Sequence, residues 1–128
     1  MKKIIVVLLS VFFLASCGKD SNACKQSDYV GFYSIEGEGC LLTGTDVELT
    51  AFANGPDGVN FDWANATGRL TLAGPLIINE CMASVNVVNV QADTDMQVNA
   101  MLEGKKMTIT YNGKFSGKVI NCTETYKK

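Results

Sequence analysis

The stretch that decides the fold is residues 98–111, which read VNAMLEGKKMTITY. Its apolar side chains occupy every second position on either side of Glu103-Gly104-Lys105: Val98, Ala100 and Leu102 before it, and Met107, Ile109 and Tyr111 after it. A period of two is that of a strand with one buried face, and a short connection containing Gly joins two such strands in a hairpin. The stretch therefore predicts two adjacent antiparallel strands.

The same alternation recurs upstream, between clusters of turn-forming residues. Its apolar positions are Val47, Leu49, Ala51 and Ala53, then Val59, Phe61 and Trp63, then Leu70 and Leu72. Residues 54–58 (NGPDG) and Gly74-Pro75 end two of these runs with typical turn chemistry. The pattern predicts an all-β fold of roughly eight to ten short strands, a small antiparallel meander that closes into a barrel, with a β-sandwich as the alternative.

Two apolar runs break the alternation. They are Val85, Val87, Val88 and Val90, and then Val119 and Ile120. Each run changes face midway, which predicts either a bulge, the device that lets a sheet curve, or a strand covered on both faces.

The N-terminal residues have the composition of an export signal. Lys2 and Lys3 precede an apolar segment of about 12 residues, shorter than the roughly 20 that a membrane-spanning helix needs. We therefore interpret residues 1–16 as a secretory signal peptide, against the alternative of a retained membrane helix.

Leu14-Ala15-Ser16-Cys17 resembles the lipobox of bacterial lipoproteins, in which the Cys thiol receives a diacylglycerol and becomes the new N-terminus. The resemblance implies that Cys17 carries fatty acyl chains such as palmitate, that residues 17–23 form a tether, and that residues 24–128 form the barrel domain. Gly18 after the lipidated Cys favours the outer membrane by the sorting rule of such lipoproteins. The expected localisation is the bacterial cell envelope, with the membrane as a partner through the N-terminal lipid.

The other four cysteines are Cys24, Cys40, Cys81 and Cys122. An even number in an oxidising compartment predicts two disulfides, and four cysteines allow three pairings. We favour Cys40–Cys122 with Cys24–Cys81, because the first bond would join the end of the first strand to the last strand. A zinc site is the weaker reading, since no two of these cysteines have the close spacing of zinc ligands and the chain contains no His. No metal or other cofactor is predicted.

Tyr29-Val30-Gly31-Phe32-Tyr33 resembles the G-x-W opening of lipocalins, with Tyr33 in the Trp position. Residues 107–111, then Phe115-Ser116-Gly117, then residues 122–126 (CTETY) resemble the ending of a group of small uncharacterised bacterial lipoproteins. The resemblance implies a lipocalin-like meander and supplies no activity.

Composition excludes several function classes. The 11 Lys and Arg side chains include Lys2 and Lys3, so the mature chain keeps nine basic side chains against 13 acidic ones and is not expected to bind nucleic acid. Without His, the usual general base and the Ser-His and Cys-His pairs are impossible. The acids that could act in pairs, as catalysts or calcium ligands, fall near likely turns, where they are normally solvated: Glu36 with Glu38, Asp93 with Asp95, and Asp57 with Asn54 and Asn60. We therefore expect no enzyme.

Three functions are compatible with such a barrel. We favour a non-enzymatic binding or interaction module, for which the lone aromatic Phe52 on a polar strand face is a weak surface marker. The second is a carrier of a small apolar ligand, in a pocket lined by aromatics that could equally be core: Tyr33, Phe61, Trp63 and Tyr111. The third is an inhibitor of a foreign hydrolase such as lysozyme, since the chain resembles the small disulfide-bonded barrel lipoproteins that do this, although of their Ser-Gly-x-Lys-Tyr loop it has only Ser116-Gly117-Lys118.

Overall fold

The computed structural model describes residues 23–41, 47–65, 68–72 and 74–128. One helix and nine strands form in this part of the chain: α1 (Gln26–Tyr29), β1 (Gly31–Glu36), β2 (Glu48–Asn54), β3 (Gly58–Asn65), β4 (Gly68–Thr71), β5 (Leu76–Asn79), β6 (Met82–Asn89), β7 (Thr94–Glu103), β8 (Lys106–Phe115) and β9 (Lys118–Lys127). None of its helices is long and apolar enough to cross a bilayer. The predicted signal peptide and the predicted lipidation site at Cys17 fall outside the described residues.

All strands pair antiparallel, and the sheet closes on itself. β1 pairs with both β2 and β9, while β2 also pairs with β3. β4 and β5 both pair with the other edge of β3, so that they act as one strand interrupted at Gly74-Pro75. The result is a closed eight-stranded barrel, which confirms the predicted all-β meander over the sandwich alternative.

The short helix α1 lies at one end of the barrel. We call the end that holds α1 and the β2–β3, β5–β6 and β7–β8 turns the base, and the opposite end the rim. At the base, the side-chain amide of Gln26 donates to the carbonyl oxygens of Gly58, at 2.7 Å, and of Gly55. The Asp28 carboxylate accepts the N–H of Lys25 at 2.7 Å, which fixes the start of α1. The short helix therefore lies against the β2–β3 turn and covers the base.

The alternating side chains of the predicted strands form the interior, except that Ala53, near the end of β2, is exposed. Fully or nearly fully buried apolar residues include Tyr29, Tyr33, Leu49, Val59, Phe61, Trp63, Leu76, Met96, Val98, Ala100, Leu102, Met107, Ile109, Tyr111 and Tyr126. Among the described residues, the buried polar ones are Thr94 and Glu124. Burying this much apolar surface is the main stabilising contribution to the fold, at about 25 cal/mol per Å².

The predicted bulges are wrong. β6 pairs with β7 in an unbroken register from Met82↔Met101 to Asn89↔Thr94, and β8 pairs with β9 without a break over their whole length. The valine run instead leaves the strand, since Val90 belongs to the turn that follows β6. Val88 points outward and is exposed, so neither a bulge nor a second covering layer is present there. Val119 is likewise exposed on the outer wall.

The structure contains the two favoured disulfides, Cys24–Cys81 and Cys40–Cys122, which are 57 and 82 residues apart in sequence. The first joins the segment before α1 to the β5–β6 turn at the base. The second joins the segment after β1 to the inner face of β9. In the chain-entropy account each loop closure contributes about 4 kcal/mol, a large share of the stability of a domain of this size.

Candidate functional site

Two turns at the rim are bonded to each other. They are residues 90–93, between β6 and β7, and residues 116–117, between β8 and β9; together we call them the rim turns. The N–H of Gly117 donates to the carbonyl oxygen of Asp93 at 3.1 Å, and the N–H of Ser116 donates to the Thr94 hydroxyl at 3.1 Å. The Lys114 ammonium lies 3.2 Å from the Asp93 carboxylate. These contacts hold the two turns in one arrangement.

The backbone of the rim turns is strained. Asp93 has φ of 44° and Ser116 has φ of 48°, both in the left-handed region that side chains disfavour, while Gly117 at 82° occupies it without a side-chain penalty. Such conformations cost on the order of 1–3 kcal/mol each and persist where neighbouring bonds enforce them. The bonds of Thr94 supply part of this enforcement, because its hydroxyl also donates to the carbonyl oxygen of Ala92 at 3.2 Å.

Exposed apolar side chains lie in the rim turns and beside them. Val88, Val90 and Val119 are 64%, 88% and 84% exposed. The strand registers place Val88 and Val119 at the two ends of one outward row, whose middle positions are Asp95 and Lys114. The rim thus presents separate apolar side chains with a charged pair between two of them, and its candidacy as a contact surface depends on how the turns are fixed.

The interior holds one ionisable cluster around Glu124, which is 3% exposed. One carboxylate oxygen accepts the backbone N–H groups of Cys40, at 2.8 Å, and Leu41, at 2.9 Å. The other accepts the hydroxyls of Tyr111, at 3.2 Å, and Tyr126. The carboxylate therefore anchors the segment after β1 inside the barrel, next to the Cys40–Cys122 bond.

The tyrosines of this cluster are held in their neutral form. Burial, followed by the neighbouring Tyr126 and Glu124, raises the pKa of Tyr111 well above 10.0. Burial and the bond to Glu124 likewise raise the pKa of Tyr126. The indole N–H of Trp63 offsets a small part of this rise in the pKa of Tyr126. Within the described chain, however, that N–H makes no hydrogen bond of normal geometry. The hydroxyls are thus fixed as donors to the carboxylate.

The four aromatics proposed for a pocket are all buried, at 0–1% exposure. The structure brings three of them together, because the Trp63 ring centroid lies 5.5 Å from that of Phe61 and 6.4 Å from that of Tyr111. Tyr33 lies two strands away, with Leu49 between it and Trp63, and donates its hydroxyl to the Tyr29 carbonyl oxygen at 2.7 Å. In the described structure these side chains pack as core.

The candidate acids do not assemble into a site. Glu36 ends β1 and Glu38 follows it, both exposed. Asp93 pairs with Lys114, whereas Asp95 lies on the outer wall of β7. Asp57 stands in the β2–β3 turn, beside an Asn54–Asn60 hydrogen bond of 3.2 Å. Within the described ranges, no three His, Cys, Asp or Glu residues are grouped as metal ligands.

Sequence reasoning missed Glu124, Tyr126 and the rim valines. The signal for the first two was available, because alternation from Cys122 places Glu124 and Tyr126 on the same inward face of the last strand. The joining of the rim turns had no local signal, since Asp93 and Gly117 are far apart in sequence.

Comparison with known proteins adds no assignment: the chain matches no family model, no curated protein and no solved structure. Function must therefore be inferred from this geometry.

Proposed function

We propose that the protein is a lipid-anchored component of the bacterial cell envelope, at the outer membrane, and that it binds a protein partner through its rim turns without catalysis. The anchor is inferred from the lipobox-like residues 14–17 and the preceding signal. We further propose that the barrel is a lipocalin-like one, as the Gly31-Phe32-Tyr33 opening suggests. The binding role is inferred from the surface of the barrel.

One observation carries the binding role: the rim turns are fixed by mutual bonds while Val90 within them and two valines beside them remain exposed. A rigid surface loses little conformational entropy on binding, so an apolar patch on it is favourable for affinity. The position fits a tethered protein. Cys24 is held at the base by its bond to Cys81, and its N–H donates to the Glu80 carbonyl oxygen at 3.0 Å. A tether ending there leaves the rim as the end remote from the lipid.

The test is photo-crosslinking in the native envelope. A photoreactive amino acid replaces Val90 or Val119 in the full-length protein, and the matched control replaces Ile77, an exposed apolar residue (54%) on the outer wall of β5. We expect a discrete adduct of one mass from the rim positions and none from Ile77. The absence of a rim adduct, or the same adduct from all three positions, would contradict the proposed binding surface.

The hydrolase-inhibitor alternative is favoured by one placement. Ser116 and Gly117 form the β8–β9 turn, and Lys118 begins β9, so the partial inhibitor motif projects from the rim, where it could enter a cleft. A lysozyme turbidity assay tests it: the purified barrel slows clearing of a cell suspension if the alternative is right. Unchanged clearing removes lysozyme from the candidate partners.

The carrier alternative remains a prediction, which native mass spectrometry tests by the presence of a recurrent bound lipid.

A further inference from the structure

A second exposed apolar patch lies at the base end of the wall formed by β1 and β2. Phe32 is 68% exposed and Phe52 is 49% exposed. Phe32 pairs with Thr50, so Phe52 is its diagonal neighbour on the same outward face. Extending the register by one position places Val30, 36% exposed, opposite Phe52. Two neighbouring aromatic side chains exposed to water are a feature of surfaces that contact another molecule or a membrane.

Lysines border this patch on the other side. Lys127 pairs with Ser34 of β1 and is the diagonal neighbour of Phe32 on the outer wall. Lys127 also pairs with Lys106 of β8, and like charges directly opposite each other in a sheet are destabilising. Glu103 lies opposite Lys106 on β7, but in the described chain neither lysine forms an ion pair. The basal patch, as we call Val30, Phe32, Phe52, Lys106 and Lys127, therefore combines apolar and cationic groups.

Charge is distributed unevenly along the barrel axis. Five of the nine basic side chains of the expected mature chain lie at the base: Lys25, Lys105, Lys106, Lys127 and Lys128. The same end carries four exposed acids, Asp28, Asp57, Glu80 and Glu103, so the base is close to neutral. The rim half is acidic, since its exposed acids outnumber the basic side chains there: Glu36, Glu38, Glu48, Asp93 and Asp95 against Arg69, Lys114 and Lys118. An anionic surface would therefore repel the rim more than the base, and the lysines of the basal patch would be its local cationic contact.

The tether brings the base close to a membrane. Only residues 18–23 separate Cys17 from Cys24, which the Cys81 bond fixes at the base. An extended chain spans at most about 3.6 Å per residue, so the two Cα atoms lie within about 25 Å of each other. A surface held this close is at high effective concentration, and a contact too weak to bind from solution becomes populated.

We propose that the basal patch docks on an anionic phospholipid surface, with the two phenylalanines at the acyl boundary and the two lysines at the headgroups. This inference rests on the proposed lipid anchor and adds an orientation to it. Apolar side chains with flanking lysines are the composition of interfacial membrane contacts. Docking would bring the base end of this wall to the bilayer and leave the rim turns farther from it.

The experiment uses the full chain, processed and lipidated in cells, then reconstituted in vesicles of phosphatidylethanolamine and phosphatidylglycerol with brominated acyl chains. Phe52→Trp places a fluorophore in the patch, and Val119→Trp places one in an exposed position at the rim. The native Trp63 is buried and supplies the same background in both variants. We expect the bromines to quench Phe52→Trp and to leave Val119→Trp at that background.

Charge is tested in the Phe52→Trp background. Replacing Lys106 and Lys127 with Ala is expected to lower the ratio of docked to undocked protein about fivefold per lysine near an anionic surface. The matched control replaces the rim lysines Lys114 and Lys118 and is expected to leave that ratio unchanged.

Two outcomes overturn the inference in distinguishable ways. If the intact mass shows no acyl chain on Cys17, the lipid anchor and the docking fail together. If the protein is acylated and bound to vesicles but Phe52→Trp is quenched no more than Val119→Trp, the docking fails alone and the anchor stands.

Discussion

Replacing Glu124 tests whether the buried carboxylate holds the interior together. Glu124→Ala removes the acceptor of two tyrosine hydroxyls that are fully buried and of two backbone N–H groups at 2.8 and 2.9 Å. A buried donor without a partner costs about 1–3 kcal/mol, whereas the two N–H groups, on less buried residues, can turn to water. Water entering the new space offsets part of the tyrosine loss. The expected decrease in the free energy of unfolding is therefore about 3 kcal/mol.

Glu124→Gln keeps the volume of the side chain and one of its two acceptor oxygens. The amide oxygen can still accept the N–H groups of Cys40 and Leu41, but the NH₂ then faces the tyrosine hydroxyls, whose O–H groups lose the acceptor they have in the parent protein. The smaller cost of burying an uncharged group offsets part of that loss. We expect a decrease of about 2 kcal/mol. Glu48→Ala, on an exposed outward position of β2, is the control and should stay within about 0.5 kcal/mol of the parent protein.

The measurement is urea unfolding at neutral pH, followed by the fluorescence of Trp63, which is buried beside Tyr111. With a urea dependence of about 2 kcal/mol per molar, the Ala variant should unfold at a midpoint about 1.5 M lower. Two results would refute the reasoning. If Glu124→Ala costs no more than Glu48→Ala, the cluster does not hold the barrel; if Glu124→Gln costs no more than Glu48→Ala, the tyrosine hydroxyls do not need the carboxylate as their acceptor.

Three further predictions use the same unfolding measurement. Gly113→Ala should lower the free energy of unfolding by about 3 kcal/mol, because Gly113 has a φ of 137° and an added Cβ would lie 2.3 Å from the Asp95 carbonyl oxygen. Gly68→Ala is the control, since a Cβ there meets nothing within 4 Å and the variant should be neutral or slightly stabilising. Equal effects of the two substitutions would contradict this prediction. Burial raises the pKa of Tyr29 and of Tyr33 to about 12. The stability that their neutral forms contribute is therefore complete below pH 10 and is lost as the pH rises through 12, by up to about 1.4 kcal/mol per pH unit for each tyrosine. A urea midpoint that does not change with pH between about 9 and 12 would disprove this. Arg69→Gln breaks the ion pair with Asp62, but the Arg69 side chain is 70% exposed, so the midpoint should not move; a clear decrease would show that this surface pair is stabilising.

Much of the fold was predictable because its signals are local. Alternation identified the inward face of β7 and β8 correctly, since a strand buried on one face must repeat its apolar side chains at every second position. Gly74-Pro75 marked the interruption between β4 and β5, where Pro has no N–H to give to the sheet. The disulfide pairing followed from the meander, because closing the barrel brings the first and last strands together.

The remaining features depend on where the strands end, which alternation does not show. The run from Val85 to Val90 looked like a change of face, but its last residue lies in a turn, and the register of β6 never breaks. Bonds between the rim turns join Asp93 to Gly117, and only the paired registers of β7, β8 and β9 bring these residues together. Alternation from Cys122 indicates that Glu124 lies on the inward face of β9. What its carboxylate binds there follows only when its donors, Cys40 and Leu41 among them, are placed.

The separation of base and rim follows from antiparallel connectivity. The chain enters β1 at the base, beside α1, so every second turn must return there and the others must fall at the opposite end. The β6–β7 and β8–β9 turns are therefore at the rim whatever their sequence, and an N-terminal tether makes that end the remote one. Selection on binding could then act on the rim turns alone. Selection on membrane contact could act on the basal patch, because the two surfaces share no residue and are separated by the packed core.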